Sequence, residues 1–419
     1  MTSSRSIFGI SLCAVVAIAC GGTPASPTTT GAAGAGHAGV TGAAGKPGAA
    51  GASGKAGASG GAGAAGKSGA AGASGAAGTS GGAGVSGAAG ASPLAARALH
   101  VQGNHLVDAS GKTVRLLGVN RAGTEYMCAT ATVKGVFDGP NDDDNIAALQ
   151  TWHVNAVRLP LNESCWLGIS GATEVGGDYY QTLIQDYVDR LHAHGIYVVV
   201  DLHWSAPGGA LATKQQAMAD ADHALDFWTS VATFFKDDPM MIFDLFNEPF
   251  LDLAGAGDAW GCWRDGCNVQ GFQSAGMQAM LDAVRATGAK QVVIAGGLSY
   301  ANKLDGWLAH KPSDPLGNLA AGFHLYNDGA CRDAGCWNGT VASVAQQVPL
   351  VTGELGERDC SHGFIDGYLS WADTHGVGYL GWAWNPQDCS TFPSLITDWS
   401  GAPSNFGVGL QTHLASVNP

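Results

Sequence analysis

The chain predicts a (β/α)8 TIM barrel with a small β-hairpin ahead of it, and three observations lead there. Eight near-continuous apolar runs recur along the sequence, segments with helical spacing lie between them, and about 325 residues follow the last low-complexity stretch. A single core rarely serves that many residues unless the architecture is a barrel. A doubly wound open sheet is the alternative that the same alternation leaves.

The runs are Val114 to Asn120, Ala156 to Leu161, Tyr197 to His203, Met241 to Asn247, Gln291 to Gly297, Leu319 to Tyr326, Pro349 to Leu355 and Tyr379 to Asn385. Between the second and third, Asp178 to Gly195 carries apolar residues at helical spacing and a glycine stop, and Asp222 to Phe235 and Gln270 to Thr287 read the same way. Ala96 to Arg115 has turn signals at Gly103-Asn104 and at Asp108 to Gly111, which predicts the hairpin and would let it cap the barrel floor.

The first 92 residues have a different character. Residues 1–20 carry Arg5, an apolar stretch from Ile7 to Ile18 and the small-residue end Ala17-Ile18-Ala19-Cys20, the pattern of a secretory signal. The end is similar to a lipobox, with Cys20 at the lipidated position but Ala17 where Leu is usual, and Ala-Ile-Ala also suits an ordinary signal peptidase. The expectation is export, either as a cell-surface or outer-membrane lipoprotein or as a freely secreted protein.

Residues 21–92 read as a Gly/Ala/Ser-rich disordered linker. Glycine falls at every third position from Gly36 to Gly90, the period of collagen, but Pro47 is the one proline in that stretch. A collagen helix needs many, so the expectation is a flexible tether, with a trimerising stalk as the alternative. The catalytic domain is assigned to 93–419.

No acidic residue precedes residue 98, whereas five of the 20 basic residues do; the remainder therefore sets 15 basic against 34 acidic residues, a formal charge of −19. Such a domain repels nucleic acid and anionic membranes, leaving a possible N-terminal lipid as its membrane contact. Eight cysteines remain beyond Cys20, an even number in an oxidising compartment. Their spacing suggests Cys262 with Cys267 and Cys331 with Cys336, leaving Cys128 with Cys165 and Cys360 with Cys389. A zinc site is the weaker reading, because export favours oxidised cysteines over thiolate ligands.

The polar residues that end the runs form a constellation. Arg158 lies in the second, His203 and Trp204 end the third, Asn247 and Glu248 the fourth, His324 and Tyr326 the sixth, Glu354 the seventh, Trp384 and Asn385 the eighth. Polar groups at the ends of apolar strands cost packing energy, and a shared site accounts for so many of them. Two glutamates on separate strand ends are what glycosidic bond cleavage requires: one carboxyl hands a proton to the leaving oxygen, and an ionised one attacks or activates water.

Rival residues are weighed beside them. Glu357, next to Arg358 and Asp359, reads as a surface ion pair, and Glu125 and Glu163 stand near strand ends where they could line subsites. His203 and His324 lack a third zinc ligand nearby. Asp142-Asp143-Asp144 suits a helix N-terminus better than calcium. Trp166, Trp204, Trp260, Trp263 and Trp337 fall in loops after strands, where they either stack on sugar or pack under disulfides; Trp260, Trp263 and Trp337 are the favoured subsite walls.

Asn247-Glu248-Pro249, Gly353-Glu354-Leu355-Gly356, His324-Leu-Tyr326, Arg158 in Val-Arg-Leu-Pro, His203 in Asp-Leu-His-Trp and Trp384 together resemble glycoside hydrolase family 5, the cellulase family of clan A, over residues 98 to 415. The resemblance implies Glu248 as acid/base and Glu354 as nucleophile of a retaining endo-β-glycanase. Asn247 would bond the sugar 2-hydroxyl, Arg158 and Tyr326 would hold Glu354 ionised and oriented, His203 and His324 would line the cleaved subsite, and Trp384 would be the platform under that sugar. Trp382-Ala-Trp384-Asn-Pro386 and Leu395 to Trp399 look like the cellulase branch, so cellulose or β-glucan is the first substrate expectation, β-mannan the alternative. A non-catalytic carbohydrate-binding surface protein is the alternative class. No cofactor or metal is implied, the partner is a polysaccharide, and a monomer is expected.

Overall fold

The computed structural model describes residues 94–130 and 135–418. The predicted signal with Cys20 and the glycine-rich linker lie outside the described residues. Eight parallel strands close into a barrel: β1 (Leu117–Asn120), β2 (Ala156–Asn162), β3 (Tyr197–Trp204), β4 (Met241–Asp244), β5 (Val293–Gly296), β6 (Leu319–Tyr326), β7 (Leu350–Gly356) and β8 (Gly378–Gly381). Each pairs with its sequence neighbours, and β8 closes on β1 through Tyr379 opposite Leu117. All eight predicted runs became strands. Those of β4 and β8 stop early, so Asn247, Glu248, Trp384 and Asn385 stand beyond the ladders rather than in them.

Continuous apolar runs hide a period-two alternation, because both faces of each strand are buried. Val199, Ile242, Ile294, Ala320, Val351 and Leu380 pack together inside the barrel floor, while their neighbours Val198, Val200, Phe243, Val293 and Ala321 pack outward in the larger core with the helices. Following the inner face of β3 upward gives Val199, Asp201 and His203. The inner face thus changes from aliphatic at the floor to polar at the C-terminal mouth, where barrel chemistry collects.

The predicted hairpin is a three-stranded antiparallel sheet, His100–Gln102, His105–Val107 and Thr113–Val114. Its Leu99 and Leu106 join the floor cluster, and Asn104 donates to the Ala345 carbonyl at 2.8 Å, so it does cap the barrel. The Asp178–Ala193 helix buries Tyr180, Ile184, Tyr187, Val188 and Leu191 on one face and ends before Gly195 at φ 74°. The helix expected from Gln270 begins only at Met277, because Phe272–Gln273 pairs with Asn268–Val269 in a two-stranded ribbon. Asp142 caps the Asp143–Gln150 helix by accepting from the Asn145 amide, which accounts for the acidic triplet.

All four disulfides pair as the spacing suggested: Cys128 with Cys165, Cys262 with Cys267, Cys331 with Cys336 and Cys360 with Cys389. The first joins the segment after β1 to the short Glu163–Leu167 helix after β2, across 37 residues. Closing a loop of that length removes unfolded-chain entropy worth about 4 kcal/mol. Replacing Cys128 and Cys165 together by Ser should therefore lower the unfolding free energy by about that amount, read as a reduced urea midpoint; an unchanged midpoint would show that this loop closure contributes nothing.

Candidate active site

Arg158 sits at the centre of the mouth with no exposed surface, and its partners come from four strands or their ends. Its Nη1 donates to Glu354 Oε1 at 3.0 Å and to Asn120 Oδ1 at 3.1 Å. Nη2 donates to Asn247 Oδ1 at 2.9 Å and lies 3.1 Å from both Asp244 Oδ2 and Asp201 Oδ2. Burial opposes the charge, but Asp201, Asp244 and Glu354 outweigh it and keep the guanidinium charged. Burial also pushes the Asp244 carboxyl above the ordinary carboxylate range.

The two glutamates face each other across His324. His324 Nδ1 is 3.0 Å from Glu248 Oε1 and 3.6 Å from Glu354 Oε2, and the three ligating atoms all lie within 4.8 Å of one another. Tyr326 Oη donates to Glu354 Oε2 at 2.6 Å, so both oxygens of Glu354 are held, one by Arg158 and one by Tyr326. Burial pushes Glu248 above the ordinary carboxylate range and pulls His324 down to about 4, leaving that ring neutral near pH 7. Burial likewise disfavours a charge on His203, but Asp201, 2.9 Å from its Nδ1, raises it overall.

A neutral imidazole between two carboxyls, and a cation behind one of them, gives the pair opposite environments. That asymmetry is how an acid is told from a nucleophile. His324, Glu248 and Glu354 are also a set that could ligate a metal ion, but each carboxyl is already engaged by hydrogen-bond donors from the protein.

The tryptophans are placed differently from expectation. Trp384 is fully buried, edge-on to Trp152 at 5.0 Å, with Gly401 packed against its ring, so it cannot lie under a sugar. Trp382 lies at the mouth instead: it stacks on His203 at 5.4 Å and 10° and clusters with Tyr326 and Phe392. Both lie in one loop after β8, and which faces the mouth depends on packing against Trp152, a residue far away in sequence.

Trp263 and Trp337 are core residues too. Trp263 has no exposed surface and donates to the Gly296 carbonyl; Trp337 donates to the Cys331 carbonyl and packs on Tyr368 and Phe364. Trp260 packs on Trp263 and His310, and Trp166 is enclosed by Tyr180, Phe227 and Phe235. Trp204, beside His203 and partly exposed, is the subsite candidate of that group that the fold leaves at the mouth.

Among the rival acids, Glu357 is buried, accepting from Ser361 Oγ and the Ile365 amide at the start of a helix, rather than pairing on the surface. Glu163 is fully buried beside Asp220 and accepts from the Ala206 amide, which removes it from the cleft wall. Glu125 accepts from the Gly123 amide, and burial pushes it up to about 7. Sequence reasoning missed Asn120, Asp201, Asp244 and Gln215. Asp201 and Asp244 were visible as charges inside apolar runs, two and three residues before assigned site positions.

A family model described as Cellulase (glycosyl hydrolase family 5) matches residues 107–388. The chain belongs to that family.

It is a glycoside hydrolase. An Endoglucanase A from Butyrivibrio fibrisolvens is 26% identical over 231 residues, 54% of this chain and 45% of that one, so the chain spans about half of that relative. A mannan endo-1,4-beta-mannosidase from Salipaludibacillus agaradhaerens is 24% identical, covering 72% of this chain and 86% of its own. A solved beta-glucanase from Saccharophagus degradans shares the barrel at a TM-score of 0.60, with 19% identity, over 77% of this chain and 94% of that one.

The two loop tryptophans separate by experiment. Trp382→Ala, at a ring only 9% exposed and packed on His203, should lower kcat/KM on a polysaccharide by about 10- to 100-fold and cost less stability than the same change at Trp384. Trp384→Ala should instead destabilise the fold by about 3–5 kcal/mol, and the reverse pattern would restore Trp384 as the platform.

Proposed function

We propose that this glycoside hydrolase cleaves β-1,4-linked polysaccharide within the chain and with retention of configuration, cellulose or β-glucan being the first substrate and mannan the alternative. The observation that carries the reading is the Glu248 and Glu354 pair, with oxygens within 4.8 Å of each other. Retaining enzymes place their carboxyl groups about 5–5.5 Å apart, whereas inverting ones leave about 6.5–9.5 Å for a water. An endoglucanase and a mannanase among the relatives support both substrates.

The chemistry follows from the contacts. Glu354, oriented by Arg158 and Tyr326, attacks the anomeric carbon while Glu248 gives its proton to the glycosidic oxygen, which departs. Glu248, now a carboxylate, takes a proton from water as that water attacks the same carbon and frees Glu354. Arg158 can only donate, so its bond to Asn247 Oδ1 turns the Asn247 amide nitrogen toward the sugar, where it donates to the 2-hydroxyl.

Burial raises Glu248, so its proton is present below that raised value and lost as pH rises through it; activity falls on the alkaline side for that reason. Export is part of the same reading. The signal-like residues 1–20 and the oxidised cysteines support it, with Cys20 as a lipid anchor and the barrel acting as a monomer. Among the described residues no helix is long and apolar enough to cross a membrane.

Purified protein incubated with soluble β-glucan, mannan and xylan should release reducing ends, with the β-anomer appearing first by proton NMR. Glu354→Gln should lose about 10³-fold or more in kcat. Release from none of the three polymers would sink the hydrolase reading on these substrates, and a first-formed α-anomer would sink retention. Cys20→Ser should move the protein from the membrane to the soluble fraction; an unchanged partition would remove the anchor.

A further inference from the structure

The carboxyl of Glu248 is gripped at two points. His324 meets Oε1, and on the other side Gln215 Nε2 donates to Oε2 at 3.2 Å and to the backbone carbonyl of Glu248 at 2.8 Å. A backbone carbonyl only accepts, so this second contact fixes which end of the glutamine amide faces the glutamate.

The loop that carries Gln215 is tied down on both sides of it. Ala212 donates to Ser164 Oγ at 3.0 Å, and its carbonyl accepts from Asn162 Nδ2 at 2.8 Å at the end of β2. The Ala217 carbonyl accepts from the Phe250 amide at 3.0 Å, two residues beyond Glu248. Ala212, Ala217, Met218 and Ala219 have no exposed surface. The loop between β3 and the Ala224–Phe235 helix is thereby made into a bracket across the ends of β2, β3 and β4, and Gln215 is the side chain it aims at the acid.

We propose that Gln215 is a positioning residue for the reaction: its amide holds the carboxyl of Glu248 toward Glu354 and stabilises the carboxylate that Glu248 becomes once its proton has gone to the leaving oxygen. The inference rests on Glu248 being that proton donor. A donor on Oε2 works in both halves of the cycle, because the same carboxylate then serves as base for the water. The other charged or titratable groups facing Glu248 are Arg158 from β2, His203 from β3, His324 and Tyr326 from β6, Glu354 from β7 and Arg358 beyond it. Burial raises Glu248, and the Gln215 bond, like the nearby cations, opposes that rise.

Gln215→Met keeps length and apolar volume and removes the donor, and Gln215→Glu replaces it with a second carboxyl. Carbon-13 titration of protein labelled at the glutamate carboxyls reports Glu248 directly, its resonance identified by its absence in Glu248→Gln. In Gln215→Met the Glu248 midpoint should rise by about half a unit to one unit, and in Gln215→Glu by more. The alkaline limb of kcat/KM on β-glucan should move up with it, and kcat should fall about tenfold with KM within about twofold. On an aryl glycoside whose leaving group needs no proton, the loss in the first chemical step should shrink. A Glu248 midpoint unmoved in both variants, at wild-type melting temperature, would overturn the proposal. If the midpoint moves but the wild-type chain hydrolyses no glycan, positioning stands and the hydrolase reading fails.

Discussion

Everything at the mouth of this barrel is arranged around one buried guanidinium. Arg158 has no contact with water and faces Asp201, Asp244 and Glu354, with Asn120 and Asn247 completing its donors. Burying that much charge is costly unless each member is paired, and removal of the cation would strand three carboxylates at a cost of several kcal/mol. The network lies at the C-terminal mouth of the barrel, behind one of the two glutamates. It holds one oxygen of Glu354, fixes which end of the Asn247 amide it meets and shares Asp201 with His203, whose pKa that carboxylate raises.

The direction of Glu354 depends on a local irregularity. Val351 faces the barrel interior, and strict alternation along β7 would send Glu354 outward into the helix layer. The pairing shifts between β6 and β7, so that Phe323 faces Thr352 but His324 faces Glu354, and Gly353 is the extra residue. A bulge of one residue returns Glu354 to the interior and leaves Leu355 in the outer core. Gly353 suits the place because a side chain there would come within 3.0 Å of His324 Nε2. Glu248 is aimed by other means, since it stands beyond its strand and is held by His324 and Gln215.

Much of this was legible in the chain. The eight strands were readable because a barrel strand is apolar on both faces, and the polar residues ending those runs stood out against them. Arg158, His203, Asn247, Glu248, His324, Tyr326 and Glu354 do converge at one end. The cysteine pairing was readable from spacing because the two short intervals admit few partners. Less legible were the tryptophans: a loop has no period, so nothing local distinguishes Trp382 at the mouth from Trp384 in the core, or shows that Trp263 and Trp337 are core residues.

The sequence by itself determined the barrel, the two glutamates and most of the groups around them, because these follow from local periodicity and from residue chemistry that tolerates few alternatives. The tertiary structure decided which face each residue shows: the bulge that turns Glu354 inward, the packing on Trp152 that buries Trp384 and leaves Trp382 at the mouth, and the bracketed loop that brings Gln215 to Glu248. Orientation in loops and at bulges is set by contacts between segments distant along the chain, and those exist only once the barrel has closed.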